Sequence, residues 1–532
     1  MAGSHRRWSV VLVTGCILLA ACSSSGSGKT QSTGTPTPKT AADQGTPDPN
    51  GVLRYGQDLT NAFSDNFDPG TEQNDCANVE LSLIDRSVTH SQGNEVVGGV
   101  ATSWTVDNPT QITFHLTAGQ KFSDGTPEDA NAVKQALLHT KSSPLRTSLS
   151  VISSIDTPDA TTVVLHLDPK KPQAGDVLWA LTYIDGMIYS PASIPNEAKK
   201  PVGSGPFMLA KYQVGQLISL KKNPTSPDAP KYKLAGVDFV QVGSGPQALS
   251  ALKSGQVDMI DLTPESYPAA KADPSIGIAI TPSLDYALMQ LRMSDPPFNN
   301  EKVRAALEYA VDREEINRVV YDSQATVADQ LFPKGTPGYD AALAGVYKYN
   351  ADKSKSMLTA AGFPNGVNFQ LVVLGGIPTF ERMAPLLQNQ LAKAGFHAKL
   401  VRIQPSAILQ EFYTAKTANA IVSVNLTNGP ALWNNYLNNY TDVGFVANTL
   451  GDVRPELVAP ISQADRAGKF DKATLDAPMK KVSQLVMSEG LEVPIVFQPR
   501  MVAYSIDRVG GPPVAPIGTC RSNLEGVFIK KK

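Results

Sequence analysis

Residues 369–403 read FQLVVLGGIPTFERMAPLLQNQLAKAGFHAKLVRI and alternate between strand and helix patterns. The apolar run Phe369–Leu374 indicates a buried strand, Phe380–Ala394 has the apolar spacing of a helix, and His397–Ile403 indicates another strand. Gly395 follows the helix pattern, and glycine commonly ends helices because it adopts the left-handed conformation at little cost. A strand, a helix and a strand at this spacing predict a parallel βαβ unit with a right-handed crossover.

Strand and helix patterns continue on both sides of this unit. Ala351–Ala361 predicts a helix just before it, and Asn300–Arg318 predicts one long helix with an apolar face. Nearer the start, Thr110–Leu116 and Thr161–Leu167 alternate apolar and polar residues as half-buried strands do. Between these strands, Thr126 is placed to cap a helix that has proline at its first position. The predicted fold class is α/β with more than one sheet.

The beginning of the chain has the composition of an export signal. A basic start precedes the apolar stretch Trp8–Ala21, which is shorter than the ~20 residues that a membrane-spanning helix needs. Leu19–Cys22 reads LAAC and resembles a bacterial lipobox, which implies cleavage before the cysteine and a lipid on its sulfur. We therefore expect a signal peptide over 1–21, and a lipidated Cys22 with a solvated tether over 22–50. An ordinary signal peptide that contains a cysteine is the alternative.

Composition and motifs exclude several classes of function. The formal net charge of −2 provides no basic surface for nucleic acid. GSGKT at 26–30 resembles the end of a phosphate-binding loop, but the first glycine of that motif is replaced by Ser23. The histidines are scattered, and the sequence has no metal-binding or hydrolase motif. We therefore expect no enzymatic activity, no metal, no cofactor and no nucleic-acid partner.

The cysteines suggest one disulfide. Cys16 leaves with the signal peptide and Cys22 takes the lipid, so Cys76 and Cys520 remain. An even number of cysteines in an exported chain favours a disulfide between Cys76 and Cys520. Two separate buried thiols are the alternative.

Several stretches, in order, resemble the extracytoplasmic solute-binding proteins of ABC importers, in the oligopeptide, dipeptide and nickel-binding family. The order and spacing of the matching motifs hold from about residue 52 to 529. The resemblance assigns Arg304 and Arg313 to a helix surface or to anchoring the core, rather than to binding ligand. The matching stretches lie within 97–133, 201–224, 251–258 and 297–313.

The resemblance implies a two-lobed, periplasmic-binding-protein-like fold with a hinge. Lobe one would span 51–284 and return at 491–532, with 89–200 as an extra subdomain, and lobe two would span 285–490. A solute, expected to be peptide-like, would be enclosed between the lobes by hinge closure and passed to an ABC permease. The protein would be monomeric, extracytoplasmic and lipid-anchored to the cell membrane. A non-peptide ligand such as an oligosaccharide or a chelated metal is one alternative, and a sensory or folding helper is another.

The sequence departs from the family pattern after the second βαβ strand. Peptide binders of the family carry an aspartate there, whose carboxylate pairs with the α-ammonium of the ligand. Here 424–430 reads VNLTNGP, ALWNNY follows, and the next acid is Asp442. Either another acid takes this role or the ligand lacks a free amine, because a buried ammonium without a counter-charge is costly. The candidate acids are Asp65, Asp68, Glu72, Asp75 and Asp285.

Asparagines and aromatic residues replace the missing acid. Their side chains offer paired donors and acceptors beside apolar rings, which suits peptide amides or sugar hydroxyls. A polar surface loop is the alternative, because asparagine is common in loops. The residues predicted to contact the ligand are Asn425, Thr427, Asn428, Trp433, Tyr436, Tyr286, Asp68 and Asp75.

Overall fold

The computed structural model describes most of the chain after the predicted tether. The predicted signal peptide, Cys22, Thr427, Asn428, Asp65 and Asp75 lie outside the described residues, as do Cys76 and Cys520. None of the helices in the described part combines the length and the apolar character needed to cross a membrane. The described ranges are 45–59, 66–72, 79–92, 95–143, 146–170, 173–425, 431–442, 444–511 and 523–532.

The described residues form a mixed α/β structure, as predicted. The strands are β1 (Val52–Gln57), β2 (Arg86–Ser87), β3 (Thr89–Gln92), β4 (Glu95–Gly98), β5 (Ala101–Asn108), β6 (Gln111–Leu116), β7 (Ile152–Asp159), β8 (Thr162–Leu167), β9 (Met187–Ile188), β10 (Phe207–Gln213), β11 (Leu217–Lys222), β12 (Gly236–Gln241), β13 (Met259–Asp261), β14 (Ile276–Thr281), β15 (Tyr286–Leu291), β16 (Thr326–Val327), β17 (Val367–Leu374), β18 (Phe396–Ile403), β19 (Ala420–Asn425), β20 (Glu492–Phe497), β21 (Arg500–Ser505), β22 (Val509–Gly510) and β23 (Phe528–Ile529).

The helices are mostly short and pack on the sheets. They are α1 (Val79–Ile84), α2 (Ala130–Lys141), α3 (Ala174–Ala180), α4 (Pro246–Lys253), α5 (Tyr267–Lys271), α6 (Glu301–Leu307), α7 (Arg313–Val320), α8 (Ala351–Ala360), α9 (Pro378–Lys393), α10 (Asn434–Tyr440), α11 (Phe445–Leu450), α12 (Pro455–Ala467) and α13 (Lys472–Glu489).

A seven-stranded sheet forms the body of lobe one, with the order β10-β11-β12-β1-β13-β21-β14. Strand β1 lies between β12 and β13 and is parallel to both. Its side chains Leu53 and Tyr55 are fully buried, together with Val237 and Phe239 of β12. The core of this lobe therefore forms around β1 and β12.

A four-stranded antiparallel sheet, β5-β6-β8-β7, forms the extra subdomain with α2 packed against it. Strands β6 and β8 confirm the two alternating patterns, and His115 is exposed on β6 as the alternation predicts. Thr126 is not the helix cap. Helix α2 begins later, because the Asp129 side chain accepts a hydrogen bond from the Ala132 N–H, whereas the Thr126 hydroxyl donates to Asp124.

A six-stranded sheet, β16-β20-β15-β19-β17-β18, forms the body of lobe two. Strands β17 and β18 pair in parallel and α9 packs on both, which confirms the predicted βαβ unit. The long helix predicted over Asn300–Arg318 is wrong, because it is divided into α6 and α7. Each of these has its own cap: Asn300 accepts from the Lys302 N–H, and Asp312 accepts from the Glu315 N–H.

Two buried arginines fix these helices to lobe two, as predicted. Arg304 donates from Nε to the Glu489 carbonyl at 2.9 Å and from a terminal nitrogen to the Phe298 carbonyl at 2.9 Å. Arg313 donates to the Pro494 carbonyl at 2.7 Å and pairs with Glu308 at 2.6 Å. Their donors are occupied by the protein itself, so both residues have a structural role.

Within the described ranges, the chain passes between the two large sheets twice. One passage joins β14 to β15 and the other joins β20 to β21, across Gln498 and Pro499. The second passage lies downstream of the boundary predicted at 490, because β20 pairs with β15 and β16 in the lobe-two sheet. Arg500 forms an ion pair with Asp285, and the Gln498 N–H donates to the Asp285 carbonyl at 2.8 Å. The two passages are therefore tied to each other where the lobes join.

Candidate functional site

The extra subdomain of lobe one contacts lobe two directly. Helix α3 packs against α12, and apolar residues from both lobes belong to one continuous buried cluster. Gly468 ends α12 in the left-handed conformation and faces Val106 and Leu178 across this contact. The lobes therefore contact each other away from the passages that join their sheets, and this arrangement, with α3 on α12, is termed closed.

Gly175 lies at a very close approach in this contact. A Cβ atom at this position would lie 2.3 Å from the Asp465 carbonyl oxygen and 2.8 Å from the edge of the Trp433 ring. Real Cβ atoms are essentially never found so close to other heavy atoms. Only glycine therefore fits at position 175 while the lobes are together.

Trp433, a predicted ligand contact, lies at the junction of the lobes. Its indole is fully buried and stacks on Phe470, with ring centroids 5.5 Å apart and planes within 14°. Gly175 of lobe one covers the edge of the same ring. In this closed arrangement the indole therefore contacts protein from both lobes.

Two aspartates, one from each lobe, also contact each other at this junction. The backbone N–H of Asp176 donates to Asp465 Oδ1 at 2.6 Å, and Asn434 Nδ2 donates to Asp176 Oδ1 at 2.5 Å. Both aspartates are buried. Burial raises the pKa of Asp176, and burial together with the neighbouring Asp176 raises the pKa of Asp465 well above its ordinary value.

A buried polar network connects three other predicted contacts. Tyr286 OH lies 3.0 Å from Tyr436 OH and accepts a hydrogen bond of 2.6 Å from Asn425 Nδ2. The carboxylate of Glu492 accepts from Tyr286 OH through one oxygen and from Tyr440 OH, at 2.9 Å, through the other. The structure thus brings Asn425, Tyr286 and Tyr436 together, at the ends of β19 and β15 and on α10.

Glu492 is the central acceptor of this network, and the sequence interpretation missed it. Its carboxyl group is fully buried, and burial raises its pKa to about 7. The local signal was a glutamate at the start of the otherwise apolar strand EVPIVF. A charged residue in a strand that is buried on both faces indicates a polar partner in the core.

Asp68 lies elsewhere, in lobe one. Its carboxylate oxygens are 3.1 and 3.2 Å from Nε2 of His139, and one of them accepts from the Gly70 N–H at 2.8 Å. Of the other candidate acids, Asp285 forms the ion pair with Arg500 where the lobes join. Glu72 is buried in lobe one. The structure therefore does not bring Asp68 to the network that contains Asn425.

A separate cavity of about 180 Å³ lies within lobe one. It is lined by α1, by residues 228–232 and by residues 523–525, among others. Arg86 on its wall pairs with Glu128 at 3.2 Å and with Asp228 at 3.0 Å. No set of three or more histidine, cysteine, aspartate or glutamate side chains suited to a metal ion occurs among the described residues.

Comparison with known proteins identifies the family. The sequence profile of the bacterial extracellular solute-binding proteins, family 5 Middle, matches residues 95–445. The "Probable D,D-dipeptide-binding periplasmic protein DdpA" of Escherichia coli K12 is 29% identical over 328 residues. This match covers 58% of the chain and 61% of DdpA, so the chain matches less than two thirds of the length of that relative.

Solved structures share the fold over almost the whole chain. The binding protein AgaA of A. tumefaciens R10, solved with agropinic acid, is 24% identical with a TM-score of 0.75, covering 91% of this chain and 99% of AgaA. DppA of Helicobacter pylori, solved with the peptide STSA, is 21% identical with a TM-score of 0.75, covering 92% of this chain and 99% of DppA. These matches confirm the two-lobed, periplasmic-binding-protein-like fold that the sequence predicts. Because the family profile matches more than half of this chain, the chain belongs to the bacterial extracellular solute-binding proteins of family 5.

Proposed function

We propose that this protein is the solute receptor of an ABC importer, which captures a peptide-like solute between its lobes and delivers it to the permease. The observation that carries the proposal is the closed contact of α3 with α12, in a protein whose two large sheets are joined by two passages within the described residues. Such a connection permits one lobe to rotate against the other as a rigid body. A solute that contacts both lobes then favours the closed state by its differential affinity for that state.

The polar network suggests how lobe two recognises the solute. Asn425 is held by Tyr286 at the end of β19, directly before the segment 426–430 in which Thr427 and Asn428 are predicted contacts. Both oxygens of Glu492 already accept hydrogen bonds from tyrosines, so this carboxyl is committed to the network. We therefore propose that lobe two recognises the solute through hydrogen bonds and aromatic contacts rather than through a buried ion pair.

The class of solute is proposed from the predicted contacts and from the relatives. The amide and hydroxyl groups predicted as contacts at 425–428 suit the main chain of a short peptide, and DdpA is named as a D,D-dipeptide-binding protein. The same groups also suit an oligosaccharide, which is the second candidate because sugar hydroxyls pair with asparagine and stack on aromatic rings. The proposal includes the predicted lipid on Cys22, which would hold the receptor at the outer face of the cell membrane.

Native mass spectrometry of the protein purified from its own cells tests the proposal, because a closed receptor retains its solute during purification. We expect a bound mass that fragments as a short peptide, whereas fragmentation as a saccharide would favour the second candidate. Calorimetry then measures the affinity of wild type and of Asn425→Ala for the identified solute. Ser250→Ala, on the exposed face of α4, is the matched control. The control should bind as wild type does, and Asn425→Ala should bind several-fold more weakly. A protein that retains no solute and binds neither peptides nor saccharides would contradict the receptor proposal.

A further inference from the structure

The contact between the lobes contains two buried acids, one from each lobe, that are joined by a hydrogen bond. Asp176 belongs to α3 of lobe one and Asp465 to α12 of lobe two, so the contact between them crosses from one lobe to the other. The exposed fractions of the two residues are 3% and 2%. The Asp176 N–H, which donates to Asp465 Oδ1 at 2.6 Å, is a direct hydrogen bond between the lobes.

The groups around this pair supply little positive charge. Asp176 is hydrogen-bonded by Asn434 from α10 and by Ser148 from the turn 147–151, which are both neutral. The Trp433 indole and the charge of Arg466 act on Asp465 and lower its pKa, but by less than burial and Asp176 raise it. Arg466 lies on the exposed side of α12, where solvent screens its charge. The closed contact therefore does not neutralise two carboxylates.

We propose that Asp176 and Asp465 form a proton-linked latch, in which the lobes close fully only when the pair holds at least one proton. This inference rests on the proposed receptor function, because it requires the lobes to open and close. Two buried carboxylates that act on each other cannot both stay charged without a large electrostatic cost, so at least one of them takes up a proton. In the open state water solvates both groups and the pair loses that proton at ordinary carboxyl pH values.

The sign of the effect follows from linkage. Because both pKa values lie above the ordinary carboxyl value while the lobes are in contact, a closed state built on this contact binds more protons than one in which water solvates both groups. The pair therefore favours closure fully when the pH is below the ordinary carboxyl pKa. This contribution to closure is lost as the pH rises through the raised pKa values of the two aspartates. Where one proton is taken up per closure, the ratio of closed to open molecules changes up to about tenfold per pH unit.

Hydrogen–deuterium exchange on the full chain, without ligand, measures this ratio at a single amide. The Asp176 N–H donates across the lobes, so its protection factor, corrected for the intrinsic exchange rate at each pH, reports closure directly. We expect wild-type protection to fall several-fold or more between pH 5 and pH 8. The double variant, with Asp176→Asn and Asp465→Asn, keeps an acceptor oxygen on each of the two side chains. In this variant the protection of the amide at position 176 should not vary with pH.

Controls separate the latch from other effects. Glu314→Gln removes one exposed negative charge from α7, far along the chain from the pair, and should follow wild type. Each single asparagine variant should show a weaker pH dependence than wild type, which keeps the test informative if the double variant folds poorly. Constant wild-type protection, or a pH dependence that persists in the double variant, would overturn the latch. Because no solute is used, these results are independent of the mass spectrometry that tests the receptor function.

Discussion

Replacing Gly175 with alanine adds one methyl group where α3 meets lobe two. The new Cβ would lie 2.3 Å from the Asp465 carbonyl oxygen, and ordinary contacts begin at about 3.4 Å, so the lobes must separate by roughly 1 Å. Forcing an extra methyl into a packed contact typically costs about 1–3 kcal/mol. If this cost falls on the closed state alone, solute affinity should drop by about 5-fold to 150-fold.

The same substitution should leave the separate lobes intact. Alanine is a better helix former than glycine by about 1 kcal/mol, and Gly175 has no left-handed backbone that would oppose the change. We therefore expect weaker binding of the solute in calorimetry together with an unchanged or slightly higher Tm. Ser250→Ala, on the exposed face of α4, serves as the control. Wild-type affinity in Gly175→Ala would refute the argument that this contact belongs to the solute-bound state.

Three further predictions concern the core, the anchor and the cysteines. Because burial raises the pKa of Glu492 from 4.5 to about 7, its contribution to folding is full below pH 4.5 and is lost as the pH rises to 7. Glu492→Gln should therefore remove a pH-dependent part of the unfolding free energy, up to about 3 kcal/mol, and identical pH profiles in urea unfolding would contradict this. Cys22→Ala should give a full-length precursor that incorporates no labelled fatty acid in membrane fractions, and label on the variant would disprove the lipobox assignment. Cys76 and Cys520 should resist alkylation in unfolded, unreduced protein, whereas two reactive thiols would exclude the disulfide.

Local patterns predicted the regular elements well. The βαβ unit of lobe two and strands β6 and β8 followed from periodicity, because one face of each element is buried in a core. The division of the helix predicted over Asn300–Arg318 was missed, because its apolar face continues across the break while Asp312 caps a new helix. Capping depends on which of several polar side chains turns back to the chain, and spacing alone does not specify that.

The candidate site was predicted only in part. Resemblance and composition predict ligand contacts at Asn425, Tyr286 and Tyr436, and the structure joins these residues in one network. Glu492, which organises that network, belongs to a strand far away in sequence and has no motif around it. The pairing of Asp176 with Asp465 joins residues 289 positions apart, and nothing local to either residue indicates the other. Contacts between lobes arise from tertiary arrangement, so a single sequence leaves them undetermined.

The two passages between the sheets also decide how late along the chain each lobe can be completed. Residues 492–505 supply β20, which lies between β16 and β15, and β21, which lies between β13 and β14. Without this segment, β14 and β16 lack the strands with which they pair, and each large sheet lacks an inner strand. Both lobes must therefore wait for the same late segment, and such long-range pairing makes folding slow. One short stretch of chain thus completes both sheets, so neither lobe can be finished ahead of the other as the chain lengthens.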